Sequence, residues 1–237
     1  MSTGTRQTDL AQIDPVETDL VALNRQIIAC IRCPRLIAHC RKVGKEKRRA
    51  YLDWDYWARP VPGFGDPGAR LLILGLAPGA HGSNRTGRPF TGDYAGVLLY
   101  ETLSRYAFAR GEYLARPDDG LELVDCRITN AVRCVPPENK PTPEEIKTCR
   151  DFLTTTIGEM KRLRAIVALG RIAHESTVRA LGGRLANLPF AHGRRHELGP
   201  VALFSSYHCS RYNTNTGVLT PEMFREVFVT VRRYLDS

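Results

Sequence analysis

Three segments of the chain carry side chains that could do chemistry. The first, GLAPGAHGSNRTGRPFTGD, runs from Gly75 to Asp93 directly after the apolar run RLLIL. Strand-to-helix connections usually take only a few residues, so a loop this long and this patterned, with one Phe among Gly, Pro, Arg, Asn and Thr, reads as a binding site. Gly75, Ala77, Pro78 and Gly79 form a tight turn of small residues, whose backbone N–H groups can face a ligand that comes close. The second segment, NAVRCVPPENKP, opens on Asn130, an amide able to donate to and accept from one polar edge at once. The third, SYHCSRYNTNTG, holds His208, whose N–H can stabilise developing negative charge, followed by Arg211, Tyr212 and Asn213. The opening loop has neither a G-x-G-x-x-G fingerprint nor a Walker lysine followed by Ser or Thr, which removes the dinucleotide and kinase-like readings.

The cysteines form a second chemical group. Cys30 and Cys33 make a C-x-x-C, Cys134 follows a predicted strand and Cys149 lies in the next predicted helix. Four thiolates from two distant regions fit a tetrahedral zinc or an iron-sulfur cluster, and the spacing leaves the two open. A redox dithiol would need the first pair alone and would more naturally follow a strand. Cys40, Cys126 and Cys209 read as packed thiols. Seven cysteines is an odd number in a chain of ordinary globular composition, which argues against a secreted disulfide framework.

The elements that must position these groups follow from periodicity. DLVALNRQIIACIRCPRLIAHCRK has apolar positions at helical spacing, broken by Pro34. VGKEKRRAYLDWDYWARPVPGFGDPGA reads as an ordered irregular segment whose two Trp pack on the core. From Arg70 strands and helices alternate: strand RLLILGL, helix Tyr94 to Ala109, strand DCRITNAV, helix Pro143 to Arg162, strand AIVALG, helix Arg171 to Leu181, strand VALFSSY and a last helix PEMFREVFVTVRRYL. This order predicts an α/β protein, a three-layer α/β/α arrangement around a mainly parallel four-stranded sheet, with all three loops beyond the carboxyl ends of the strands. Residues 1–17 read as a flexible tail and 18–237 as a single domain.

A net charge of +9 in 237 residues favours polyanionic partners, nucleic acid above all. The polar, acidic start lacks the pattern of a signal peptide and no apolar run approaches a membrane span, so a cytoplasmic protein with no membrane partner is expected.

The three loops together resemble the uracil-DNA glycosylase superfamily, and specifically its family 5 (type B) enzymes of bacteria and archaea, over about residues 27 to 235. The resemblance implies a three-layer α/β/α fold, a [4Fe-4S] cluster on Cys30, Cys33, Cys134 and Cys149, and hydrolytic removal of uracil and of other deaminated bases such as hypoxanthine from DNA. Such an enzyme flips the damaged nucleotide out of the duplex and stacks and reads its base. By resemblance Phe90 stacks on the base, Asn130 reads its edge, His208 stabilises the leaving base, and Gly75, Ala77, Gly79, Arg211 and Asn213 line the substrate. Familiar uracil-specific members carry a polar pair at the positions of Leu76 and Ala77, including an Asp that orients water, and a Tyr at that of Gly79. Their loss here implies a roomier pocket and another means of holding water. Asp93, the only carboxylate in the opening motif, is a natural N-cap and also the candidate for that water.

Arg85, Arg88, Lys140, Arg194, Arg195 and Arg211 are expected to hold DNA phosphates as a group. The expected partner is duplex DNA bearing a damaged base, with single-stranded DNA a further candidate, and the protein is expected to act as a monomer. The competing readings are an iron-sulfur redox protein and a nucleic-acid-binding module built on structural zinc, neither with glycosylase activity.

Overall fold

Leu71–Gly75, Cys126–Asn130, Ala165–Leu169 and Val201–Ser206 are short runs in which every residue is buried, the polar side chains of CRITN included. Strands covered on both faces belong in a parallel sheet between helices, and that is where they lie. The structure is a computed structural model and describes residues 19–237; the tail expected over residues 1–17 lies outside the described residues. In chain order the strands are β1 (Phe64–Gly65), β2 (Leu71–Gly75), β3 (Ala109–Arg110), β4 (Glu122–Leu123), β5 (Cys126–Asn130), β6 (Ala165–Leu169), β7 (Arg195–Leu198) and β8 (Val201–Ser206). The helices are α1 (Asp19–Ile28), α2 (Pro34–Glu46), α3 (Ser83–Thr86), α4 (Tyr94–Arg105), α5 (Pro143–Glu159), α6 (Arg171–Ala180), α7 (Arg211–Asn215) and α8 (Pro221–Asp236).

The main sheet has the order β1-β5-β2-β6-β8-β7, while β3 and β4 pair by themselves. Its four inner strands are mutually parallel, as expected. The expected total of four is corrected to six, because β1 and β7 add antiparallel edges. Both escape periodicity for physical reasons: β1 has two residues, and β7 is a partly exposed edge reading RHEL.

Alternation along the strands divides the core. Leu71, Ile73, Ile128, Val167 and Phe204 face α4 and α8. Leu72, Leu74, Ile166, Ala168 and Leu203 face α1, α5 and α6. The result is three layers, one helix layer on each face of the sheet. Among the described residues no helix is long and apolar enough to cross a membrane.

Helix ends follow their caps. Pro34 opens α2 at its first turn, so the N-terminal helical segment is two helices, as its sequence predicts. Thr142 and Glu145 close a capping box on α5, whose carboxyl end falls at Glu159, short of the expected Arg162. α4 stops at Arg105, and Ala109 pairs in β3 instead of ending the helix. The Trp-rich segment is irregular, as expected, but its Trp side chains lie on the opening loop. The Trp57 ring packs on Gly87 and donates its ring N–H to the Pro60 carbonyl at 3.0 Å, while the Trp57 backbone N–H donates to the Arg85 carbonyl at 3.0 Å.

Candidate active site

β2 and β5 pair so that Gly75 and Asn130 stand side by side at their carboxyl ends. The pairing continues past the strands, with Ala131 N–H donating to the Gly75 carbonyl at 2.9 Å and Val132 N–H to that of Leu76 at 3.0 Å. A methyl group on Gly75 would collide with Asn130 Oδ1 and come within 2.5 Å of Phe90 Cζ, so only glycine permits this approach. Asn130 is buried, and its Oδ1 has no hydrogen-bond partner. A buried amide oxygen without a partner is costly and points to a missing ligand.

Phe90 sits in the left-handed region at φ 53°, a conformation costing about 1–2 kcal/mol in a residue with a side chain. Tyr113 holds it there: its hydroxyl donates to the Phe90 carbonyl at 3.2 Å and accepts from Gly92 N–H at 3.1 Å. The buried Phe90 ring packs into the sheet core and stacks on His208, with centroids 5.8 Å apart and planes inclined by 23°.

His208 follows β8, so both rings stand over the carboxyl edge of the sheet. Its ring is partly exposed, yet burial lowers its pKa to about 4, leaving the imidazole neutral at neutral pH. Asn213 donates through its amide to the His208 carbonyl at 2.8 Å and thereby fastens the loop. Arg211 and Tyr212 are exposed, with the Arg211 guanidinium 5.2 Å above the Tyr94 ring.

Asp93 caps α4, accepting from Gly96 N–H through Oδ1 at 3.1 Å. Its other oxygen faces the opening loop: a methyl group on Gly79 would come to 2.9 Å from Oδ2, and one on Gly82 to 2.5 Å. Burial raises its pKa, with backbone N–H groups opposing. Ala77, expected beside the substrate, packs on the apolar cluster around Cys134 and Cys149.

Two members of the expected phosphate-binding group, Arg85 and Arg88, are buried, while the other four are exposed. Arg85 is buried, with its guanidinium 4.0 Å from the Tyr51 ring and 3.9 Å from the Trp54 ring. Arg88 is buried in a two-pronged pair with Asp119, each contact 2.7 Å. Lys140 pairs with Glu138 and Arg195 with Glu197, while Arg194 is exposed. Sequence reasoning missed Tyr113 and Asp119 altogether, since a Tyr and an Asp in the turn-rich EYLARPDDG carry no periodic signal; yet both hold the Phe90 loop.

Cys30, Cys33, Cys134 and Cys149 line one pocket together with Arg32, Arg133 and Phe152. Cys40 packs beside them and its thiol is in hydrogen-bonding contact with Cys134, whereas Cys126 and Cys209 lie in the core between the sheet and α4 and α8. Among the described residues no group of three or more His, Cys, Asp or Glu side chains is arranged to hold a single metal ion.

A three-layer α/β fold whose parallel strands deliver a stacked aromatic pair, an unpartnered amide and a capping carboxylate to one edge defines a small-ligand site of the nucleobase-binding kind. The family model for the uracil DNA glycosylase superfamily matches residues 62–232, and the chain belongs to that superfamily. It is 50% identical to the type-5 uracil-DNA glycosylase of Thermus thermophilus over 217 residues, 91% of this chain and 98% of that one. It is 44% identical to the type-5 uracil-DNA glycosylase of Pyrobaculum aerophilum over 202 residues, 85% of this chain and 87% of that one. The type-4 uracil-DNA glycosylase of Pyrobaculum aerophilum is more distant, at 33% over 196 residues, 82% of each chain.

The Arg88–Asp119 pair makes a direct prediction. Burial alone would raise the Asp119 pKa; the Arg88 guanidinium overrides it and holds the carboxyl down at about 2. A depressed carboxylate stabilises the fold above its ordinary pKa, and that stabilisation fades as pH falls from about 4 towards 2. Asp119→Ala should therefore cost about 3–5 kcal/mol in denaturant unfolding at neutral pH, because Arg88 is left buried without its partner. The variant should also lose this part of the acid slope; unchanged unfolding at both pH values would show the pair to be neutral.

Proposed function

We propose that this chain excises uracil from DNA as a monofunctional glycosylase, hydrolysing the N-glycosidic bond and leaving an abasic site. One observation carries the reading: Gly75, Phe90, Asp93, Asn130 and His208 come from three separated segments to one edge of the sheet, in a chain of this superfamily. A duplex hides its bases, so the target nucleotide must leave the stack before these side chains can reach it.

Each residue has a role that its surroundings support. Phe90, fixed at a strained backbone position, offers a preset face for the base to stack on. Asn130, with Oδ1 buried and unpartnered, reads the polar edge, and the bare backbone of Gly75 beside it leaves room for its amide and the Phe90 ring to come together. His208, neutral at working pH, donates an N–H to the base carbonyl as negative charge develops there, without bringing a full charge into the ground state. Asp93 orients the attacking water through Oδ2 while Oδ1 stays on the helix cap, and its charge offsets the cationic sugar.

The small residues of the loop support a wider range of bases, including hypoxanthine, because no ring stands at Gly79 to reject them. Release from hypoxanthine duplexes measures this breadth, and activity confined to uracil would defeat it. A bulky residue at Gly79 would also push on Asp93 Oδ2, so such a variant reports on substrate range only as a ratio between bases.

The cysteine pocket extends the proposal to a cofactor, a [4Fe-4S] cluster held by Cys30, Cys33, Cys134 and Cys149. Two features support the fit. Arg133 N–H donates to Cys149 Sγ at 3.3 Å, as backbone groups do to cluster thiolates, and Arg32 bonds Cys30 at the rim. A multi-iron core gives each thiolate its own iron, which asks for a wider spread of sulfurs than the four around one zinc. Such a cluster would supply a structural cross-link between the segment before α2 and the loop after β5, with no part in the hydrolysis.

Two experiments test these assignments. In Asp93→Asn the cap is largely kept and the charge removed, so single-turnover release of uracil should fall about a hundredfold or more in a protein that remains folded; near-normal release would reduce Asp93 to a helix cap. Replacing any of Cys30, Cys33, Cys134 or Cys149 with Ala should strip iron and acid-labile sulfide from the purified protein, while Cys126→Ala retains both. Full iron in the four variants would refute the ligand set.

A further inference from the structure

Arg133 heads the largest side chains buried to less than 2% exposure, and its charge has no carboxylate partner among the described residues. Its Nη2 reaches Thr156 Oγ1 at 3.4 Å, a long contact to a neutral group. Nε and Nη1 are buried with no hydrogen-bond partner. Arg127, a second buried guanidinium, adds repulsion. The effective penalty for taking an ion out of water is several kcal/mol, so a buried cation without a counter-charge is a debt that some anion must settle. Arg88 shows the ordinary solution in this fold, a carboxylate gripped with both prongs.

The anion near Arg133 is sulfur. Arg133 precedes Cys134 and lines the same pocket as all four cysteines. Cys149 and Cys134 line the same pocket and become negative once their thiols give up protons to a metal. Its backbone N–H already points at Cys149 Sγ. Arg32, the other cation at the pocket, is exposed and spent on Asp151 at 2.9 Å. Four thiolates around an iron-sulfur core leave the assembly net negative, and in a dry site that charge needs compensation as much as the guanidinium does.

We infer that Arg133 is the buried counter-cation of the cysteine-held cluster, and that its charge sets both how firmly the cluster is retained and how readily it accepts an electron. The inference rests on the cluster reading given above. A guanidinium does not give up its proton near neutral pH, so Arg133 brings a full positive charge to the pocket. A fixed positive charge beside the cluster favours the reduced form, which carries one more electron; removing that charge shifts the potential to more negative values.

The test compares Arg133→Lys, which keeps the charge, with Arg133→Met and Arg133→Gln, which remove it with apolar and polar side chains. Iron and acid-labile sulfide per chain, the lifetime of the cluster absorbance in air, and the midpoint potential in a dithionite titration are measured on purified full-length proteins, with circular dichroism reporting the fold. The Lys variant should stay close to the parent. Each neutral variant should either lose its cluster, with a lifetime at least tenfold shorter, or keep it at a more negative potential. Neutral variants with parental iron, lifetime and potential would overturn the inference, and so would a Lys variant as deficient as the neutral two, since shape and not charge would then be at work. A parent protein without iron or sulfide would instead refute the cluster reading itself.

Discussion

Gly75 leaves no room for a side chain, and the site is arranged around that bare stretch of backbone. The Phe90 ring and the Asn130 amide both close on it, one from the loop and one from the neighbouring strand. Neither approach is set locally. Asn130 arrives because β5 pairs in parallel register with β2, and Phe90 because Tyr113 and the Arg88–Asp119 pair pin its loop in a left-handed turn. Close packing makes such contacts stiff, so the strand register, the loop clasp and the aromatic stack act as one constraint.

The same strand pair ties the site to the cysteines. Beyond Asn130 the chain bends through Ala131, Val132 and Arg133 to Cys134, with the Ala131 and Val132 N–H groups still bonded to Gly75 and Leu76. Ala77 rests on the cysteine cluster from the other side. The cysteine pocket thus braces the backbone from which Asn130 projects. Electrostatics divides along this line: burial keeps His208 neutral and raises Asp93 at the edge of the sheet, while the buried Arg133 guanidinium lies beside the cysteines.

Much of this could be read from the sequence. Five-residue apolar runs with turn residues between them gave away the parallel strands, Pro34 placed the break between the first two helices, and Asp93 before YAGVLL announced a cap. Convergence of Cys30, Cys33, Cys134 and Cys149 was also legible, because two of them flank elements whose order in the sheet follows from the fold. Strands β1 and β7 were hidden by their shortness and exposure. The burial of two basic residues was hidden for a different reason. Arg88 meets Asp119 and Arg85 meets Tyr51 and Trp54 only after loops far apart in sequence have folded together. Charge in a sequence says nothing about which cations will be caged. Asn213 and Ala77 were legible as members of the right loops, but which way each side chain is spent depends on backbone geometry that no local pattern encodes.

The contact at Gly75 can be tested alone. Ala at this position adds one methyl group, keeps strand propensity and changes the identity of no proposed reacting residue, yet it must displace both the Phe90 ring and the Asn130 amide. Single-turnover release of uracil from a duplex by Gly75→Ala, with the fold checked by circular dichroism, is the most direct measurement. A folded protein slowed by a hundredfold or more is the expected result, in keeping with the sensitivity of catalysis to misplacements of about 1 Å. A folded protein that releases uracil at the parental rate would contradict a site built on that close approach.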